Sequence, residues 1–161
     1  MHRLTTVQRL PISLEQAWAF FSSPKNLAVI TPRELNLIPV TPLPEEMYPG
    51  IFIEYHVRPL WGIPVRWVTE ITHVREMQYF VDEQRLGPYS IWHHQHHFRT
   101  IEGGVEMTDI VDYRLPLGML GIFMEKVLVG KEVRNIFEFR RKKLVTLFGS
   151  FAGDQGPDST R

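Results

Sequence analysis

The chain has 161 residues, 43% of them hydrophobic and 22% charged, and its 18 basic and 18 acidic side chains balance to a formal net charge of zero. That length supports one domain with a substantial core, and the balanced charge weighs against partners held by electrostatics, nucleic acid above all. Cysteine is absent, which excludes disulfides and thiol catalysis. The opening MHRLTTVQRLP has no apolar signal core, and no run is long enough to span a bilayer. The expected location is therefore the cytoplasm, with no membrane insertion.

Taken in order, Arg3 to Leu10 reads as a strand ended by Pro11. Ser13 is a helix N-cap with Gln16 completing a capping box, so a helix is predicted over Leu14 to Phe21. Ser23-Pro24 repeats the start signal, and a second short helix should cover Pro24 to Ile30 and stop before Pro32. Glu34 to Val40 reads as a short strand. The loop that follows, Pro39 to Gly50, is rich in proline. Further strands are predicted over Ile51 to Arg58, Ile63 to Val74 and Met77 to Leu86, with Pro59-Leu60-Trp61-Gly62 connecting the first two. Val65, Trp67, Thr69 and Ile71 form the more apolar face of their strand.

The most informative stretch is Gly87 to Tyr113, GPYSIWHHQHHFRTIEGGVEMTDIVDY. Gly103-Gly104 marks a tight reversal between two strands. Side chains alternate faces along a strand. Whether Gly103-Gly104 or Glu102-Gly103 makes the turn, even positions of the first strand lie beside odd positions of the second. One face then carries Trp92, His94, His96, Phe98, Met107, Asp109, Val111 and Tyr113. The other face, with His93 and His97, is mostly polar. An antiparallel sheet turns its apolar face inward, so His94, His96 and Asp109 should be interior, where ionisable groups are costly unless paired or wet.

After Tyr113, Pro116 and Gly118 end the sheet. Leu120 to Leu128 reads helical, and Gly130 interrupts or kinks it. A long amphipathic helix should run from Lys131 to Phe148, with Val133, Ile136, Phe137, Leu144 and Leu147 on one side. The basic run Arg140-Arg141-Lys142-Lys143 reads as the solvated outer face of that helix. The domain is expected to span residues 1–149, followed by a disordered tail over 150–161 rich in Gly, Asp, Ser and Pro.

The sum is an α+β protein: a curved antiparallel sheet of about six to seven strands, with a long C-terminal helix to cover its open face. A cavity between sheet and helix is a common place for a small-molecule site.

This order and its motifs resemble the START-like or Bet v 1-like superfamily, SRPBCC, and more narrowly the bacterial ligand-binding proteins related to polyketide cyclase/dehydrase sequences. The residues that carry the resemblance begin with Trp18-Ala19-Phe20-Phe21, Pro24-Lys25-Asn26-Leu27 and Ile30-Thr31-Pro32. They continue through Gly62-Ile63-Pro64 with Trp67, and Phe80-Val81-Asp82-Glu83-Gln84 with Gly87-Pro88. The last are Trp92-His93-His94-Gln95-His96-His97-Phe98, Met107-Thr108-Asp109 and Phe137-Glu138-Phe139-Arg140. The resemblance implies a helix-grip fold, its sheet wrapped around the C-terminal helix over a hydrophobic pocket. It also implies that Asp82 and Gln84 face that pocket, although an Asp on a strand ordinarily faces solvent.

His94, His96 and Asp109 support three readings. They form the polar floor of a ligand cavity, they bind a metal, or they make an internally satisfied network that fixes the sheet. Same-face neighbours on a strand stand about 6.6 Å apart, which a metal could bridge. With only those three ligands converging, no metal and no cofactor are expected. Trp67, Thr69, Trp92, Tyr113 and Phe137 are candidate pocket walls, each also explicable as core. The sequence has no GxSxG, no phosphate-cradling glycine loop and no HExxH.

The functional expectation is a protein that binds a small hydrophobic or amphipathic molecule, apolar or aromatic with a hydroxyl, carbonyl or carboxylate. The alternatives are a cyclase or dehydratase using acid–base chemistry from these groups, and an interaction module beside an enzyme partner.

Overall fold

A computed structural model describes residues 1–58, 63–116 and 130–152. The fold is α+β. Seven strands form one antiparallel sheet: β1 (His2–Leu10), β2 (Ile38–Pro39), β3 (Ile51–Val57), β4 (Val65–Arg75), β5 (Tyr79–Leu86), β6 (Ile91–Ile101) and β7 (Gly104–Arg114). Their spatial order is β1-β7-β6-β5-β4-β3-β2, so the first and last strands in sequence are neighbours at one side of the sheet and β2 forms the other edge. Two α-helices are described, α1 (Leu14–Phe21) and α2 (Gly130–Phe148). The predicted connection over 59–62, the helix over 120–128 and the tail over 153–161 lie outside the described residues. No helix among the described residues is long and apolar enough to cross a membrane.

Helix α1 begins as its sequence dictates. The Ser13 side chain accepts a hydrogen bond from the Gln16 backbone N–H at 3.2 Å, and the Gln16 side chain accepts from the Ser13 N–H at 3.0 Å. This reciprocal pair satisfies two donors that the first helical turn leaves orphaned. The second predicted helix, Pro24–Ile30, is instead a 3-10 helix. Ser23 makes no side-chain cap there, and the Asn26 N–H bonds three residues back to the Ser23 carbonyl. A segment fixed by Pro24 at one end and Pro32 beyond the other takes the tighter winding, which suits short pieces.

The strand expected over Glu34 to Val40 shrinks to two residues. Arg33–Leu35 is a 3-10 turn, and Asn36 adopts the left-handed conformation at φ 47°, which breaks an extended run. Pro39 lacks an N–H, so the remnant pairs only at the sheet edge. Likewise β5 starts at Tyr79 rather than Met77, because Met77 has a positive φ of 60° within the turn that precedes it.

The β6–β7 hairpin resolves the register: Ile101 pairs with Gly104, so Glu102-Gly103 make the turn. Gly103 takes φ +79°, where glycine is unstrained. Gly104 is constrained by space. A Cβ there would lie 2.1 Å from the Leu10 carbonyl oxygen on β1 and 3.2 Å from the ring of Phe151. Phe151 belongs to the segment expected to be disordered, yet its half-buried ring lies against this turn. Gly104→Ala should therefore force β1 away from β7 and cost more than Gly103→Ala. Overpacking of this kind costs about 1–3 kcal/mol, and thermal melts of the two variants compared with the wild type check the order.

Helix α2 lays Val133, Phe137, Arg140 and Leu144 on its buried face. Ile136 is half-buried, whereas Leu147 is exposed and does not join the stripe as expected. Spacings of three and four residues along one side explain this pattern. The Gln8 side chain donates to the Arg141 carbonyl at 3.1 Å and ties β1 to the helix. On the opposite face of the sheet, directly paired residues carry opposite charges. Arg3 meets Asp112 at 2.7 Å, and both Arg9 and Arg99 meet Glu106. The polar face predicted for the hairpin is thus a ladder of cross-strand ion pairs.

Candidate functional site

Three small apolar clusters pack between the sheet and the helices. Between them lies a cavity of about 180 Å³, comparable with the roughly 150 Å³ void that accepts one benzene ring. Strands β3, β4, β5 and β6 each contribute inward residues, α2 contributes its buried face, and the 3-10 segment Pro24–Ile30 closes another side with Leu27 and Ile30. The alternation that puts Ile53, Tyr55 and Val57 inward on β3 also puts Trp67, Thr69 and Ile71 inward on β4. An aromatic wall stands at one end: Trp67 meets Trp92 edge-on at 5.4 Å and Tyr89 at 5.7 Å between ring centroids. The walls are overwhelmingly apolar, so polar atoms that reach the cavity stand out.

Asp82, His94 and His96 form one cluster among them. Asp82 on β5 pairs in register with His94 on β6, and His96 pairs with Asp109 on β7. The register thus places a carboxylate on each side of two imidazoles, whose centroids are 3.7 Å apart with their planes tilted by 42°. Toward the cavity, Asp82 Oδ2 lies 3.0 Å from His96 Nε2 and 3.3 Å from His94 Nδ1. Away from it, Asp109 Oδ1 lies 3.0 Å from His94 Nε2 and 2.8 Å from His96 Nδ1. The last contact is close but poorly aligned, so His96 Nδ1 makes no hydrogen bond despite its burial. Phe80 stacks on His96 at 4.2 Å and Phe137 meets His94 edge-on at 5.6 Å, which seals the rings in.

The cluster is buried: His94, His96 and Asp109 are 4%, 6% and 2% exposed. Burial alone would raise both carboxyls, but the neighbouring imidazoles outweigh it through charge and hydrogen bonds. Asp82 and Asp109 are held well below the usual carboxylate range. Burial alone would lower His94, but Asp82 and Asp109 outweigh it and raise its pKa. The contribution of the two carboxylates is complete above their unfolded pKa of about 4 and is lost as pH falls. That of His94 is complete below about 6.5 and is lost as pH rises through its raised folded value. Denaturant midpoints of the full chain, freed of bound ions, should therefore peak between about pH 4 and pH 6.5. A monotonic rise to pH 8 would contradict the pairing.

Of the residues singled out from sequence, Trp67, Thr69, Asp82, Trp92, His94, His96 and Phe137 line the cavity. Three do not. Asp109 lies one layer deeper, behind the histidines. Tyr113 is 5% exposed and packs with Val111, Val133 and Phe137, backing Trp92 rather than facing the space. Gln84 serves the β5–β6 turn: its side chain donates to the Tyr89 carbonyl at 2.5 Å and accepts from the Tyr89 N–H at 3.2 Å. These bonds hold its amide beside Gly87, away from the cavity.

Among the lining residues that were not anticipated are the polar Tyr55, Glu132 and Arg140. Tyr55 is 3% exposed and its hydroxyl has no hydrogen-bond partner among the described residues. Arg140, assigned from sequence to a solvated basic face, is 7% exposed. Its guanidinium lies 5.0 Å over the Phe137 ring and 3.9 Å from Asp109 Oδ1, and its Nε is unpartnered. The helical spacing Val133, Phe137, Arg140, Leu144 was the signal that separates it from its exposed neighbour Lys142.

No protein-family profile and no curated protein matches this chain. Solved structures do. Protein Ms6760 from Mycobacterium smegmatis superposes with a TM-score of 0.63 at 17% identity, covering 90% of this chain and 92% of its own. Protein CV1439 from Chromobacterium violaceum gives a TM-score of 0.68 at 11% identity, covering 94% and 100%. A protein from Arthrobacter aurescens gives 0.68 at 14% identity, covering 96% and 93%. At these identities the likeness shows a shared fold and carries no function.

Proposed function

We propose that this chain is a helix-grip protein of the START-like, SRPBCC type whose work is to bind a small, largely apolar molecule in the cavity between sheet and α2. The observation that carries this reading is an apolar cavity of about 180 Å³ into which a few buried polar groups converge. The size favours a ligand about as large as one aromatic ring. The unpartnered Tyr55 hydroxyl and Arg140 Nε favour a carbonyl or carboxylate on that ring, because each is a buried donor lacking an acceptor. A space of this kind argues against a module that acts through its surface alone. The cytoplasm remains the proposed location.

A second reading, acid–base catalysis of a cyclisation or dehydration, draws on the same cluster. The observation that favours it is that Asp82, paired with both His94 and His96, lines the cavity as a candidate acid–base group.

Native mass spectrometry of freshly purified protein tests the binding reading, together with thermal shift using toluene, benzaldehyde and benzoate. The expected result is a larger rise in melting temperature with benzaldehyde or benzoate than with toluene, and loss of that difference in Arg140→Met and Tyr55→Phe. Failure of every ring compound to stabilise the protein, with nothing released from the purified chain, overturns it. Recovery of a ligand changed in mass after incubation moves the assignment to the enzyme.

A further inference from the structure

We propose that Asp82, His94 and His96 form a divalent-metal site at the floor of the cavity, with Asp109 as the outer carboxylate behind both imidazoles. This inference does not depend on which organic molecule the cavity accepts.

The first argument is donor spacing. Zinc and similar ions sit about 2.0–2.1 Å from imidazole nitrogen and about 2.0–2.2 Å from carboxylate oxygen. Two donors of one ion are then about 3.4 Å apart in a tetrahedral site and about 2.9 Å apart on an octahedral face. Asp82 Oδ2 is 3.3 Å from His94 Nδ1 and 3.0 Å from His96 Nε2. One donor atom from each of the three residues lies within 4.8 Å of the others. The remaining edge, between the two imidazoles, lies within 4.8 Å and must shorten toward about 3.4 Å around a tetrahedral ion.

The second argument is the outer shell. Metal-binding histidines characteristically give their other nitrogen to a carboxylate, which fixes the ring orientation and raises ligand basicity. Asp109 Oδ1 bonds His94 Nε2 in this way at 3.0 Å, and it lies 2.8 Å from His96 Nδ1, where a small turn of the ring would complete the second bond. Asp109 does not line the cavity, whereas the three inner residues do. The layers therefore run from cavity to inner donors to Asp109, with the Arg140 guanidinium offsetting the outer charge at 3.9 Å. A purely structural network has no need for this division into two layers.

The third argument is access. Three protein ligands leave at least one coordination position open toward the cavity, which is the pattern of catalytic rather than closed structural sites. Two imidazoles and one carboxylate suit zinc, ferrous iron or cobalt. Ligation needs a free lone pair on both His94 Nδ1 and His96 Nε2, so any proton on either nitrogen leaves to solvent when the ion enters, and the remaining hydrogen of each neutral ring sits on the nitrogen that faces Asp109. The expectation of no metal took Asp109 as the third ligand. The register instead supplies Asp82, directly opposite His94 on the neighbouring strand.

Chelator-treated full-length protein titrated with Co²⁺ and with Zn²⁺ tests this, by calorimetry and by the visible absorption of bound cobalt. One ion per chain is expected. Asp82→Asn and His96→Gln should abolish binding in protein that retains its far-ultraviolet dichroism. Asp109→Asn should weaken it about 10–100-fold, the usual effect of losing an outer-shell partner. His93→Gln and His97→Gln, on the opposite face, should leave it unchanged. No binding up to about 1 mM free Co²⁺, a dissociation constant too weak for a built site, overturns the proposal. So does binding that survives Asp82→Asn and His96→Gln, or that disappears with His93 or His97. Should the inner variants unfold, the wild type decides alone: bound Co²⁺ must broaden the amide resonances of Phe137 and Arg140 on α2. Broadening confined to the outer face of β6 counts against the site.

Discussion

Asp109→Ala should cost roughly 3–5 kcal/mol of folding stability at neutral pH, the penalty for removing one partner of a buried ionic cluster. The residue is 2% exposed, and one of its oxygens faces both imidazoles and, at longer range, Arg140. Its removal leaves a raised-pKa His94 with only Asp82 for compensation. It also leaves His96 Nδ1, already without a hydrogen bond, facing a void. Asp109→Asn should cost less, because the amide fills the space and still offers one acceptor, but it supplies no charge. Denaturant unfolding of the three proteins gives the order directly. A double-mutant cycle with His94→Ala should be strongly non-additive, since both single changes disrupt one network. An Asp109→Ala protein within about 1 kcal/mol of the wild type would mean the cluster is wet or uncharged.

The central hairpin was legible because a period of two has only two phases. Both turn choices put His94, His96 and Asp109 on the same face, and the observed register, Ile101 opposite Gly104, is one of the two. Depth within that face was not legible. Whether a side chain reaches the cavity or stops behind another depends on what packs over it, and neither the Asp82–His94 pairing nor the placement of α2 is written in the hairpin. Asp109 and Tyr113 therefore fell one layer behind their expected positions. Gln84 was misplaced for a local reason, since its amide closes a turn over Gly87. Arg140 was misread because a run of four basic residues suggests a solvated face, while the helix period assigns each residue its own direction. The helix from 24 to 30 was found in place but not in winding, because proline and serine signal a start without fixing which hydrogen bonds follow.

Phe137→Asp should leave no cooperative unfolding transition at 25 °C. Phe137 is 7% exposed on α2 and packs with Val111, Tyr113 and Val133. Its ring supports the Arg140 guanidinium on one side and meets His94 on another. Truncating a buried phenylalanine alone costs about 3–5 kcal/mol. The aspartate adds a carboxylate beside Asp82 and Asp109, which already absorb the local positive charge, so it gains little compensation for its desolvation. Together these costs approach the whole stability of a typical domain, about 5–15 kcal/mol. Phe137→Leu, which keeps most of the apolar volume, should cost far less and retain a sharp transition. Val145→Asp provides the control on the outer side of the same helix, where the residue is 38% exposed and a substitution should shift stability by no more than about 0.5 kcal/mol. Thermal melts followed by circular dichroism separate the three. If Phe137→Asp melts as cooperatively as Val145→Asp and within a few degrees of it, α2 does not cover the sheet, and the cavity between them loses its wall.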